Sequence, residues 1–209
     1  MAKKRGKRFR LLLYERMWQR WAFPCLMLVP ASIALWFLVP RISFIPPSLD
    51  LPLLDFRIPL RPLIPVPAMA AAVILIYTYL ARCTAWVQCR ESHLLIKTPI
   101  YPLAISYGRI KAVRPSRLSQ IFDPAKERAG RRDWLGPYWG KTALAIETSK
   151  YPVDKRWLRL WFNPYLFAPN MVGFVLLVED WMTLSRQISD YRSDWEARRA
   201  AQRQQAAEE

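Results

Sequence analysis

Two long uncharged runs dominate the first part of the chain, and shorter apolar stretches with a different period follow them. Residues 21–39 (WAFPCLMLVPASIALWFLV) hold 19 residues without a charge. At ~1.5 Å rise per residue, a helix of that length covers the ~30 Å hydrocarbon core of a bilayer. Pro24 is expected in its first turn, where a missing N–H does no harm, and Pro30 is expected to kink its interior. Residues 62–81 (PLIPVPAMAAAVILIYTYLA) give a second such run of 20, with Pro65 and Pro67 where a helix starts. Tyr77, Tyr79 and Trp86 suit the headgroup zone, and Arg82 can reach the aqueous boundary. A cleaved leader is the competing reading of the first run. It is disfavoured because the run exceeds the ~7–15 residues of such segments and no small-x-small site follows; Pro40, Arg41 and Ile42 read as a helix end.

Beyond residue 84 the apolar stretches are short, β-rich and separated by turn residues, the pattern of a small antiparallel sheet. Strands are expected at 85–90, 94–98, 103–106, 110–114, 142–148, 157–162 and 173–178. In the sixth, Leu158, Leu160 and Phe162 take one face and Arg159 the other, by period-two alternation. Residues 119–141 show no clear period and are expected to form a long solvent-facing loop with at most one helical turn. Asp180 is placed as the N-cap of a terminal helix whose Trp181, Leu184, Ile188, Tyr191 and Trp195 recur at helical spacing and face the sheet.

Charge orients this arrangement. The chain carries +16, unevenly distributed: residues 1–20 hold eight Lys/Arg against Glu15, residues 40–66 net only +1, and the part from Arg82 onward nets +8. The positive-inside rule therefore predicts a two-span hairpin in the cell (inner) membrane with both termini cytoplasmic. Residues 40–66 would face outward; with seven prolines and no glycine they favour an extended, polyproline-like crossing. The expected organisation is a basic segment 1–20, spans at 21–39 and 62–84 around a Pro-rich loop 40–61, a cytoplasmic domain 85–200 and a polar tail 201–209.

Little in the chain points to catalysis, and no catalytic residue, cofactor or metal site is expected. Cys25, Cys83 and Cys89 lack disulfide or zinc spacing and read as packing residues. The lone His93 beside Glu91 reads as a solvated turn residue. No nucleophile elbow, phosphate loop or zinc-helix motif occurs. Asp123, Glu127 and Asp133 balance Lys126, Arg128, Arg131 and Arg132 locally. Two groups remain as contact candidates. Lys3, Lys4, Arg5, Lys7, Arg8 and Arg10 precede an apolar-aromatic stretch, 9–21, that suits a surface helix on anionic lipid headgroups, or else they only set topology. Arg131, Arg132, Trp134, Tyr138 and Trp139 form an aromatic-basic loop suited to the membrane interface or a partner, with core packing as the alternative. Nucleic acid is not an expected partner, since no recognition motif accompanies the basic end.

The run TAWVQCRESHLLIKTPIYPLAISYGRIKAVRP, with Leu94, Leu95 and Ile96 in its second strand and the step Arg109, Ile110, Lys111, Ala112, Val113 at its end, resembles the start of the bacterial membrane-associated pleckstrin-homology-like (PH-like) domain family, a domain of unknown function. The clear similarity covers about 30 residues. The Pro-containing hairpin 98–102 and the Trp-rich loop 133–139 depart from that family's pattern. The resemblance implies an α+β fold: a transmembrane hairpin, then a seven-stranded, strongly bent antiparallel sheet capped by a C-terminal helix. It also implies a non-catalytic binding or scaffold module recruiting a protein or peptide at the inner membrane surface. The alternative is a structural accessory subunit of a larger membrane complex. Fold alone does not name the ligand.

Overall fold

The computed structural model describes residues 5–38, 48–51, 56–59 and 64–208. They fall into two compact units, one formed by Met1–Arg16 with Thr84–Glu209 and the other by Met17–Cys83. The first unit is α+β and discontinuous in sequence, because β1 (Arg5–Arg10) precedes the apolar helices and yet belongs to its sheet. Residues 5–10, within the basic segment expected at 1–20, thus pair with the strand that opens the stretch expected at 85–200.

The first sheet has four antiparallel strands in the order β1, β4 (Trp86–Arg90), β5 (His93–Lys97), β6 (Pro102–Ser106). The second has three, β7 (Ile110–Arg117), β8 (Thr142–Thr148) and β9 (Gly173–Leu176), in chain order. Six of the seven strands expected from the sequence recur within a few residues. The prolines inside them sit where a missing N–H is tolerated: Pro102 opens the edge strand β6, and Pro115 lies in the edge strand β7. Strands covered on both faces read as unbroken apolar runs, as in Leu94, Leu95 and Ile96 of β5 and Phe174, Val175 and Leu176 of β9. The Leu12 N–H donates to the Leu177 carbonyl at 3.0 Å, joining the segment after β1 to the segment after β9.

The terminal helix α6 runs over Trp181–Glu208. As expected, Asp180 caps it, accepting from the Thr183 N–H at 3.1 Å, and Leu184, Ile188 and Tyr191 are buried. Gly108 matters to this packing, since a Cβ there would stand 2.7 Å from the Trp195 ring.

The expected sixth strand is instead a helix. Residues Lys155–Trp161 form an α-helix because Asp154 caps it, accepting from the Arg156 N–H at 3.1 Å. Leu158 and Phe162, four residues apart, point into the core while Leu160 is 73% exposed. A period near 3.6 had the look of alternation over so short a run. The expected loop 119–141 is likewise largely helical, containing Leu118–Ile121, Ala129–Leu135 and a 3-10 turn at Gly136–Tyr138.

The second unit holds most of α1 (Leu12–Leu38) and α2 (Pro65–Thr84), with strands β2 (Ser48–Leu51) and β3 (Phe56–Pro59) paired antiparallel between them. Both helices are long and apolar enough to cross a membrane, and large side chains such as Phe23, Phe37, Met69 and Val73 are exposed. Helix α1 begins nine residues earlier than the expected span, so Pro24 lies in its interior instead of its first turn. The β2–β3 pair also departs from the expected polyproline-like crossing. The Trp18 ring meets Tyr79 edge-on at 5.5 Å, and the Thr78 hydroxyl is satisfied by the Ile74 carbonyl at 2.8 Å.

In chain order the remaining short helices of the first unit are α3 (Leu118–Ile121), α4 (Ala129–Leu135) and α5 (Lys155–Trp161).

Candidate functional site

The N-terminal basic residues do not share a surface helix. Lys3 and Lys4 lie outside the described residues, and Arg5 opens β1. Lys7 pairs with Asp180 at 3.7 Å, and Arg8 lies over the Trp86 ring at 4.7 Å. Arg10 is exposed at the end of the strand. Phe9, Leu11, Leu12, Leu13 and Tyr14, expected on a membrane-surface helix, are buried in the first unit. The pairing of β1 with β4 explains the difference: it buries Phe9 on one face of the edge strand, and the chain then turns into α1, whose first residues Leu12, Leu13 and Tyr14 are buried in the same unit.

The aromatic-basic group is divided between core and surface. Tyr138 is buried, its hydroxyl donating to the Leu12 carbonyl at 3.3 Å, and burial raises its pKa from the ordinary value. Trp134 stacks on Tyr165 at 5.9 Å, and Trp139 is half-buried. Arg132 is exposed. Arg131 is held by two 2.8 Å hydrogen bonds to the Glu127 carboxylate and lies over the Tyr165 ring.

Arg131 also lines a cleft of about 400 Å³ that the sequence did not reveal. Phe122, Phe167 and Ala168 form an apolar floor, Pro164 and Pro169 stand at its sides, and Arg131, Lys155 and Arg159 supply positive charge. Helix α5 creates the pairing of Lys155 with Arg159, which lie four residues apart and so on one helical face; a strand would have pointed both the same way without bringing them over the same turn. Through Lys155 the cleft continues into a shallower depression of about 460 Å³ bordered by Arg109, Lys150, Tyr151 and the cap Asp154. Such a surface can hold a carboxylate or phosphate by charge while an apolar group rests on the floor.

Elsewhere, burial pushes the Cys89 thiol up to about 12 and raises the Tyr107 hydroxyl as well. The Tyr107 hydroxyl donates to the Arg90 carbonyl at 2.8 Å, so this pair braces the first sheet. His93 opens β5, with Ser92 Oγ 2.8 Å from its Nδ1. Among the described residues no three His, Cys, Asp or Glu side chains come together to hold a metal ion. Compared with protein-family models, curated proteins and solved structures, the chain matches none.

Proposed function

We propose that this protein is a membrane-anchored, non-catalytic PH-like module whose α1 and α2 cross the inner membrane as a hairpin. In this reading the α+β unit stands at the cytoplasmic surface, where its basic cleft recruits an acidic segment of a partner protein. The anchoring is supported by the length and apolarity of α1 and α2, and the observation that carries the two-span topology is the pairing of β1 with β4. Strands hydrogen-bonded to each other lie on one side of any membrane, and these two flank the apolar helices, so an even number of crossings separates them. The positive-inside rule then favours the cytoplasm for that side. The PH-like reading draws its support from the division into four and three strands followed by a capping helix.

The test uses the full chain in its membrane, with a photo-crosslinking residue at Pro169 in the cleft or at Arg203 far along α6. A discrete adduct at Pro169 alone, lost in K155E/R159E, is the expected result; equal adducts at both positions, or none, would overturn the cleft reading. For orientation, cysteines introduced in residues 40–66 should react with an impermeant reagent from outside the cell.

The structural-subunit reading has one observation of its own, an apolar groove of about 130 Å³ among Ser32, Ile33, Trp36, Pro65 and Ala68 in the second unit. The small residues Ser32 and Ala68 in it admit a neighbouring helix. Recovery from gentle detergent without a stoichiometric companion would count against it.

A further inference from the structure

One end of the four-stranded sheet is the row Arg10, Trp86, Lys97 and Pro102, paired in succession across β1, β4, β5 and β6. Arg10 stands just before α1 and Trp86 just after α2 in the chain. The turn from Lys97 to Pro102 is there too. Its Thr98 hydroxyl donates to the Tyr101 carbonyl at 2.8 Å, and Ile100 at its tip is 50% exposed.

Two contacts bring α5 to the same end. The Tyr101 ring meets Trp157 at 5.1 Å. Independently, the Asn163 N–H, just past α5, donates to the Tyr14 hydroxyl in the first turns of α1 at 3.3 Å. With Leu158 in the core and Lys155 and Arg159 turned to the cleft, helical geometry leaves Arg156, Trp157 and Leu160 on the outer face. Trp157 is 42% and Leu160 73% exposed. The acid nearest them in sequence, Asp154, is engaged as the helix cap.

We propose that the Ile100 turn and the outer face of α5 form a second membrane contact, dipping apolar and aromatic groups into the anionic leaflet while Lys97 and Arg156 meet its headgroups. This rests on the reading of α1 and α2 as spans. Charge and position argue for lipid as the occupant. Basic side chains flank exposed tryptophan and aliphatic groups, the composition of an interfacial anchor. The patch also belongs to the sheet end where β1 runs on into α1 and β4 follows α2 in the chain. Because the spans already hold the domain at the bilayer, a contact too weak to bind from solution is sufficient to orient it.

The test is depth-dependent quenching in the full chain, with Cys25 and Cys83 replaced by serine and an environment-sensitive fluorophore on Ile100→Cys, Leu160→Cys or, as a reference in α1, Phe23→Cys. The protein is reconstituted in phosphatidylcholine vesicles with or without phosphatidylglycerol, using brominated acyl chains as quencher. Labels at 100 and 160 should shift to the blue and be quenched about twofold more in anionic vesicles, and K97E/R156E should abolish that gain. Water-like, unquenched labels at 100 and 160 beside a quenched label at 23 would overturn the contact and leave the spans standing. An unquenched label at 23 would defeat the span reading itself. A blue shift at 160 that grows with protein density and ignores the brominated lipid would mean that a second copy covers the patch, which also overturns the proposal.

Discussion

Residues Thr84–Glu209 alone should not fold. Cutting the chain before residue 84 removes β1 and the first turns of α1, and with them Phe9, Leu11, Leu12 and Leu13, which are 4%, 2%, 4% and 1% exposed. Burying side chains of this size contributes about 1.5–3 kcal/mol each, so roughly 6–12 kcal/mol is lost. That is an upper estimate, because denatured chains already bury some apolar surface. Even half of it is comparable with the ~5–15 kcal/mol that stabilises a typical domain. The β1–β4 ladder and the Tyr138 hydroxyl bond to Leu12 go as well. The comparison protein joins residues 5–16 through a flexible Gly/Ser linker of about 20 residues to residue 84. Near-UV circular dichroism and thermal melting decide the matter: a cooperative transition in the linked protein, none in the truncated one. A truncated fragment melting cooperatively within a few degrees of the linked protein would refute the claim that the domain is completed by the residues that precede the two apolar helices.

Gly173→Ala should destabilise the first unit by about 1–3 kcal/mol or more in chemical denaturation, because a Cβ would fall against the Ile146 backbone in β8, where no flexible side chain can give way. A maleimide at pH 8 should label exposed Cys83 and spare Cys89 until the protein is unfolded, since the buried thiol ionises only near 12. The same shift makes stability fall as pH rises from about 9 towards 12, because the unfolded thiol loses its proton first. Asp180→Ala should lower the melting temperature at neutral pH. The Asp180 carboxylate is held below its usual range mainly by its hydrogen bonds to Thr183, so its contribution is present above the unfolded pKa and lost as pH falls through the folded one. The gap between D180A and the parent protein should close in acid, as followed by far-UV circular dichroism.

The sequence by itself determined the elements whose signal is local. Two uncharged runs long enough for a bilayer, six of the seven strands expected after residue 84 as short β-rich stretches, and α6 from its cap and its stripe of apolar residues could all be read without partners. Period-two and period-3.6 patterns differ clearly over long runs and poorly over short ones, which is why Lys155–Trp161 looked like a strand until its cap and its buried pair Leu158 and Phe162 were seen in place. Tertiary structure alone decided the rest. That Arg5–Arg10 is an edge strand depends on β4, some 80 residues away, offering a free edge, and no local property of a basic hexapeptide encodes that partner. The basic cleft is equally non-local: Arg131 comes from α4 and Lys155 and Arg159 from α5, and only the packing of those helices over Phe122 and Phe167 brings their charges onto one surface.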